Sequence, residues 1–370
     1  MSTYYLTFRI ENEIAKSYYH GEHLSCIFVS HFDKDHINGL NALEQNYKID
    51  NNSLVFVPFF YREVYVYLGL YKQSYLEGLA NFESFILRTK AHLVRVNPYH
   101  NGDKPSDESY YISSNTDGNK FPDVISSSTT LIIVDIDKKP IWKYVPFNIT
   151  NDSTIEDGIL EKYRNIGAIS PDNHFNLDML KDKKKIKALR DCFSHNGSDN
   201  LSDIINRYSL QLLSFPVHPN SCINYYRQTS CEQYLSYYNS WPPYHINEMY
   251  KTKNLYIGSC LYTGDVFTNN AIFWQVFNQI ITDCLDKNSK GGNNRLVLFQ
   301  IPHHGSIKNN DKNIANQQKI YSAFLSYNSK YKNKPFNSNF INQFSLVGKP
   351  LIHIQENAAS RFEEIYFFNE

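Results

Sequence analysis

The sequence predicts an α/β fold built in layers, and two observations carry that expectation. Short apolar runs rich in β-branched and aromatic residues alternate with segments of helical spacing, the pattern that layered α/β domains bury. Three polar clusters, HFDKDH at 31–36, TGD at 263–265 and PHHGS at 302–306, each stand directly behind such an apolar run. Ligands of layered α/β folds gather at such strand ends.

The elements follow in order. LSCIFVS (24–30) reads as a buried strand that runs straight into HFDKDH, and INGLNALEQNY behind it has helical spacing, so the first cluster occupies a strand-to-helix turn. SLVFVPFF (53–60) reads as a strand and 62–97 as mainly helical. Residues 98–128, rich in Asn, Gly, Asp, Ser and Pro, read as a long loop. TTLIIVDID (129–137) is a strand with WKYVPFNI as its partner, 150–200 is polar and helical, and SLQLLSF (209–215) is a strand. The stretch 216–253 reads as irregular, followed by the strand NLYIGSCLY. AIFWQVFNQIITDCL is an amphipathic helix with Phe273, Val276, Phe277, Ile280 and Ile281 as its apolar side. RLVLFQI, SAFLSYN and KPLIHIQ close the chain as strands. One domain over 1–370 is expected, with insertions at about 47–200 and 216–253.

Composition narrows the function classes. The chain has 370 residues with 37 basic and 37 acidic side chains, so no global field draws it to nucleic acid or membrane. The basic run Lys181–Arg190 is expected to be a solvated helix face. None of the six cysteines forms a CxxC pair, which suits a reduced compartment. No signal-peptide pattern opens the chain and no run reaches the roughly 20 apolar residues of a membrane span. A soluble, cytoplasmic protein is expected, with no membrane partner.

The clusters carry the chemistry. His31, Asp33, Asp35 and His36 place four metal-ligand types within six residues. Imidazoles suit zinc and other first-row metals, whereas carboxylates suit harder ions. Asp265 follows a glycine in a tight turn and could bridge two ions, and His303 and His304 offer a further imidazole. Two divalent ions a few Å apart could hold a bridging hydroxide for a displacement at phosphorus.

HFDKDHINGL resembles the HxHxDH signature of the metallo-β-lactamase superfamily, with Asp33 where the second histidine usually stands. With TGD, PHHGS and the Asn206–Ser209 strand entry, it is similar to the hydrolase domain of ComEC-type DNA-uptake proteins. The resemblance covers about 24–46, 203–214, 255–275 and 295–356. It implies an αββα four-layer sandwich and a metal-dependent hydrolase, a phosphodiesterase or nuclease using a metal-bound hydroxide on DNA or another phosphodiester. The implied ligands are His31, Asp33, Asp35, His36, Asp265 and His304, holding two zinc or manganese ions. Asp35 would also orient the water, and His303 would assist the leaving oxygen. His195 and His218 are not expected to bind metal. Asp33 in place of histidine should shift preference from zinc toward manganese or magnesium-like ions. Two alternatives stand beside this reading. One is a hydrolase of a small phosphoester or cyclic nucleotide. The other, suggested by the short N-terminus and the missing Asp-Gly hairpin, is a non-catalytic module in a larger, antiviral complex with a partner such as an ATPase.

Overall fold

The computed structural model describes residues 23–37, 39–69, 73–99, 106–113, 116–149, 161, 164–168, 182, 184, 185, 187, 206, 208–217, 222–229, 255–286, 294–306, 308–311, 313–327, 338–349, 351–355 and 362–368. His195, His218 and most of the basic run lie outside these residues. The fold has mixed α/β content, and the chain divides into two compact units. The first comprises Met1–Asn101, Asp117–Ile125 and Asn148–Ser209, the second Gly102–Thr116, Ser126–Phe147 and Leu210–Glu370.

The first unit is built on a parallel sheet. Strands β1 (Cys26–Phe28), β2 (Leu54–Pro58) and β3 (His92–Val96) lie side by side, with Val124–Ile125 beyond β3. Leu54, Val55, Phe56 and Val57 have no exposed surface. A parallel strand covered on both faces reads as an unbroken apolar run, and LVFVP does so. Helices α1 (Lys34–Ile37) and α2 (Leu40–Asn46) follow β1, while α3 (Tyr61–Gly69) and α4 (Gln73–Thr89) connect β2 to β3. A two-pronged ion pair braces these last two helices, with Arg62 Nε and Nη2 donating to Glu83 at 2.6 and 2.7 Å.

Residues 62–97 are not helical throughout. The helix stops at Thr89 and HLVRV forms β3 instead. The stop is made by Lys90 in the left-handed conformation, φ +59°. Its N–H donates to Ile86 O at 2.8 Å, and the Thr89 hydroxyl donates to Phe85 O at 2.9 Å. This position is usually filled by glycine. The expected loop at 98–128 also contains regular structure, including β4 (Ser109–Ile112).

The second unit holds a mixed sheet. To β4 it adds β5 (Thr130–Val134), β6 (Pro140–Ile149, whose last two residues belong to the first unit), β7 (Leu210–Pro216), β8 (Leu255–Tyr262), β9 (Arg295–Gln300), β10 (Ile320–Tyr327) and β11 (Leu351–Gln355). Their order is β11-β10-β9-β8-β7-β6-β5-β4. From β8 to β11 the neighbours are parallel, whereas β7 against β8 and β5 against β6 are antiparallel. Helix α5 (Ala271–Ile281) buries Phe273, Val276, Phe277, Ile280 and Ile281, the apolar side expected from its spacing. The rings of Trp274 and Phe277 lie 6.1 and 6.0 Å from that of Phe299 on β9. Helix α6 (Ser338–Leu346) precedes β11. Within the stretch expected to be irregular, Cys222–Thr229 is a strand paired antiparallel with Phe362–Phe368. Cys26 and Cys260 are buried, and no helix among the described residues is long and apolar enough to cross a membrane.

One side chain ties the first polar cluster to its core. Phe32 is 1% exposed, with its ring 4.5 Å from Phe82, 4.9 Å from Tyr61 and 5.2 Å from Tyr65. Truncation leaves a cavity that a close-packed cluster cannot fill. Phe32→Ala is therefore expected to lower stability by about 3–5 kcal/mol in urea unfolding. Leu87→Ala, at a side chain 77% exposed, should stay within about 0.5 kcal/mol of the parent.

Candidate metal centre

In the first unit, β1 ends at Phe28 and α1 begins at Lys34, so residues 29–33 form the turn expected between strand and helix. The N–H groups of His36 and Ile37 donate to Asp33 O at 2.8 and 3.2 Å, which starts the helix at Asp33 and brings His36 back beside His31. The two imidazole centres are 3.7 Å apart. His31 is 1% exposed and His36 half-buried. Ser30 Oγ lies 3.2 Å from Nδ1 of His31 and 3.2 Å from Nδ1 of His36. Ser209, at the strand entry singled out in the sequence, brings its own Oγ to 3.4 Å from His31 Nδ1.

Asp33 has a different neighbourhood. Tyr65 OH accepts the Phe32 N–H at 2.7 Å and donates to Asp33 Oδ1 at 3.2 Å. Burial pushes the Tyr65 phenol well above its ordinary pKa, and the Asp33 carboxylate pushes it further. Tyr65 thus stays a proton donor toward Asp33. Burial and the same carboxylate also raise Tyr75. Helix α4 closes on the loop without a gap, because a Cβ on Gly78 would stand 2.5 Å from Phe32 O. Asp35 lies in α1, and its side chain is outside the described residues.

In the second unit, TGD follows β8 and HHG follows β9. Gly264 is left-handed, φ +58°, which turns the chain and buries Asp265 at 6% exposure. Asp265 Oδ2 lies 2.7 Å from His303 Nδ1. His303, His304 and Gly305 are successively left-handed, with φ of +46°, +53° and +76°. Non-glycine residues in this region are uncommon, and they cluster where the surrounding structure over-determines them.

Three buried or backbone-bonded amides supply that constraint. Gln300 Oε1 accepts the N–H of Thr263 at 2.9 Å and of Gly264 at 3.3 Å. Asn309 Nδ2 donates to Asp265 O at 3.3 Å. Asn310 Nδ2 donates to both Pro302 O and Ser306 O at 2.9 Å, which spans the HHG turn. None of the three was singled out in the sequence, since a side-chain amide serving a distant carbonyl leaves no spacing pattern.

Among the described residues, His31 and His36 in the first unit and Asp265 in the second are of the types that ligate a metal ion. Imidazole nitrogens and carboxylate oxygens are the ligand types of zinc and of harder first-row ions. The pair at 303–304 divides its roles, with His303 against Asp265 and the His304 ring centred 6.0 Å from that of His303.

No family model, curated protein or solved structure matches the chain.

Asn310→Ala leaves two carbonyls at the HHG turn without their side-chain donor. We expect a loss of about 1–3 kcal/mol in denaturant unfolding. An unchanged unfolding midpoint would mean that the left-handed turn is held without Asn310.

Proposed function

We propose that this chain is a metal-dependent hydrolase acting on a phosphodiester, DNA being the leading substrate, with an αββα sandwich as its architecture. The observation that carries the reading is the pairing of the His31 and His36 imidazoles, their centres 3.7 Å apart within one turn, supported by the Asp265–His303 pair. The likeness of HFDKDH, TGD and PHHGS to metallo-β-lactamase signatures supports the same assignment.

Bound divalent cations, zinc or manganese and two in number, would polarise the phosphoryl group and activate the attacking water. The chain's own groups do the rest. His31 and His36 bind through nitrogen. Asp265 holds His303 Nδ1 with one oxygen and would offer the other to a cation. His303, oriented by that carboxylate, would pass a proton to the leaving oxygen. Asp35 would orient the water, and Asp33 and His304 would complete the ligand set.

The test is a metal-by-substrate screen of the full chain with manganese, magnesium or zinc against linear DNA, RNA, cyclic dinucleotides and a bis-phenyl phosphodiester. The reading predicts turnover of DNA that disappears in His36→Ala together with bound metal. His303→Asn should keep its metal and lose about 10²–10⁴ in rate, the usual contribution of a positioned proton donor. Stoichiometric metal with no turnover of any substrate would overturn the hydrolase reading in favour of a non-catalytic module.

A further inference from the structure

Ser30 stands immediately before the first metal-ligand residue and was not among the residues singled out in the sequence. Its hydroxyl oxygen is 3.2 Å from Nδ1 of His31 and 3.2 Å from Nδ1 of His36. A hydroxyl has one proton and two acceptor lone pairs. It cannot donate to both rings, so at least one imidazole must carry its proton on Nδ1 and give it to Ser30. A neutral imidazole with its proton on Nδ1 has its lone pair on Nε2, whereas the opposite tautomer has nothing to offer a cation at that nitrogen.

We propose that Ser30 is a positioning residue that accepts N–H bonds from both His31 and His36 and so holds both rings in the tautomer that ligates through Nε2. The proposal deepens the metal-site reading and rests on it. The geometry suits the role. Both rings belong to one short turn, their centres are 3.7 Å apart, and their Nδ1 atoms meet at a single oxygen that has one lone pair for each. Ser209 Oγ, 3.4 Å from His31 Nδ1, adds a second, longer acceptor beside His31. Ligating histidines commonly give their other ring N–H to an outer partner, and loss of that partner weakens metal binding by about 10–100-fold. Here one hydroxyl serves two ligands at once.

The experiment reads the tautomers directly. The metal-free full chain, labelled with ¹⁵N-histidine, is examined by long-range ¹H–¹⁵N correlation at mildly alkaline pH, and zinc affinity is measured on the same samples by competition with a chelating dye. In the parent protein both His31 and His36 should show a protonated Nδ1. Ser30→Ala should return His36 to a mixture dominated by protonated Nε2 and weaken zinc about 10–100-fold. Ser30→Thr, which keeps the hydroxyl, should restore both readings. If Ser30→Ala leaves the tautomers and the zinc affinity as they are in the parent, the proposal is overturned. Should the tautomers shift as expected while even the parent binds no zinc, the assignment of Ser30 stands and the metal reading fails.

Discussion

The burial of Phe32 is the constraint on which the imidazole pair of the first unit depends. A loop that carries two imidazoles and a carboxylate gains little from folding by itself, because polar side chains leaving water lose what they gain. Phe32 supplies the missing apolar area from within the same turn. Its ring fills an aromatic cluster with Tyr61, Tyr65 and Phe82, while its backbone N–H is taken by Tyr65 and its carbonyl is closed in by Gly78. One residue is thus fixed by side chain, donor and acceptor together. Its neighbours His31 and Asp33 inherit that rigidity, and the first turn of α1 returns His36 to His31 within a single helical step.

The polar turns of the second unit are held by a different physics. TGD and HHG are turns in left-handed backbone, and turns of that kind persist only where bonds to them outnumber their alternatives. Side-chain amides provide the bonds. Gln300 takes two N–H groups of the TGD turn, and Asn310 spans two carbonyls of the HHG turn. Asn309 joins the Asp265 carbonyl to the same segment. The Asp265–His303 pair is then a contact between two turns that have each been fixed separately. Aromatic burial sets the first cluster, amide hydrogen bonding the second, and both end in side chains of the types that ligate metals.

Much of this layout was legible in the sequence, and the reasons differ from element to element. Runs such as LVFVP and RLVLFQ announce buried strands because a strand covered on both faces has no polar positions. The clusters HFDKDH, TGD and HHG are conspicuous because strand-end turns rarely concentrate so many ligand types. The end of α4 was not legible. Lys90 occupies the left-handed cap that glycine usually fills, so the apolar spacing runs on into HLVRV and hides β3. Strands at 109–112 and 222–229 lie in polar, tyrosine-rich stretches whose composition resembles loop. Nor could the order of His303 and His304 be read, since two consecutive left-handed residues point their rings by backbone angle and not by periodicity. Ser30, Gln300 and Asn310 each reach two partners with one side chain, which no local pattern encodes.

The central claim is that His31 and His36 bind one cation together. X-ray absorption at the metal edge of the full chain loaded with zinc or manganese tests it most directly. The account predicts stoichiometric metal with imidazole scattering from two nitrogen ligands and a further oxygen contribution, reduced to one imidazole in His31→Ala and His36→Ala alike. A metal shell of oxygen ligands without imidazole, or one that those two substitutions leave unchanged, would contradict it.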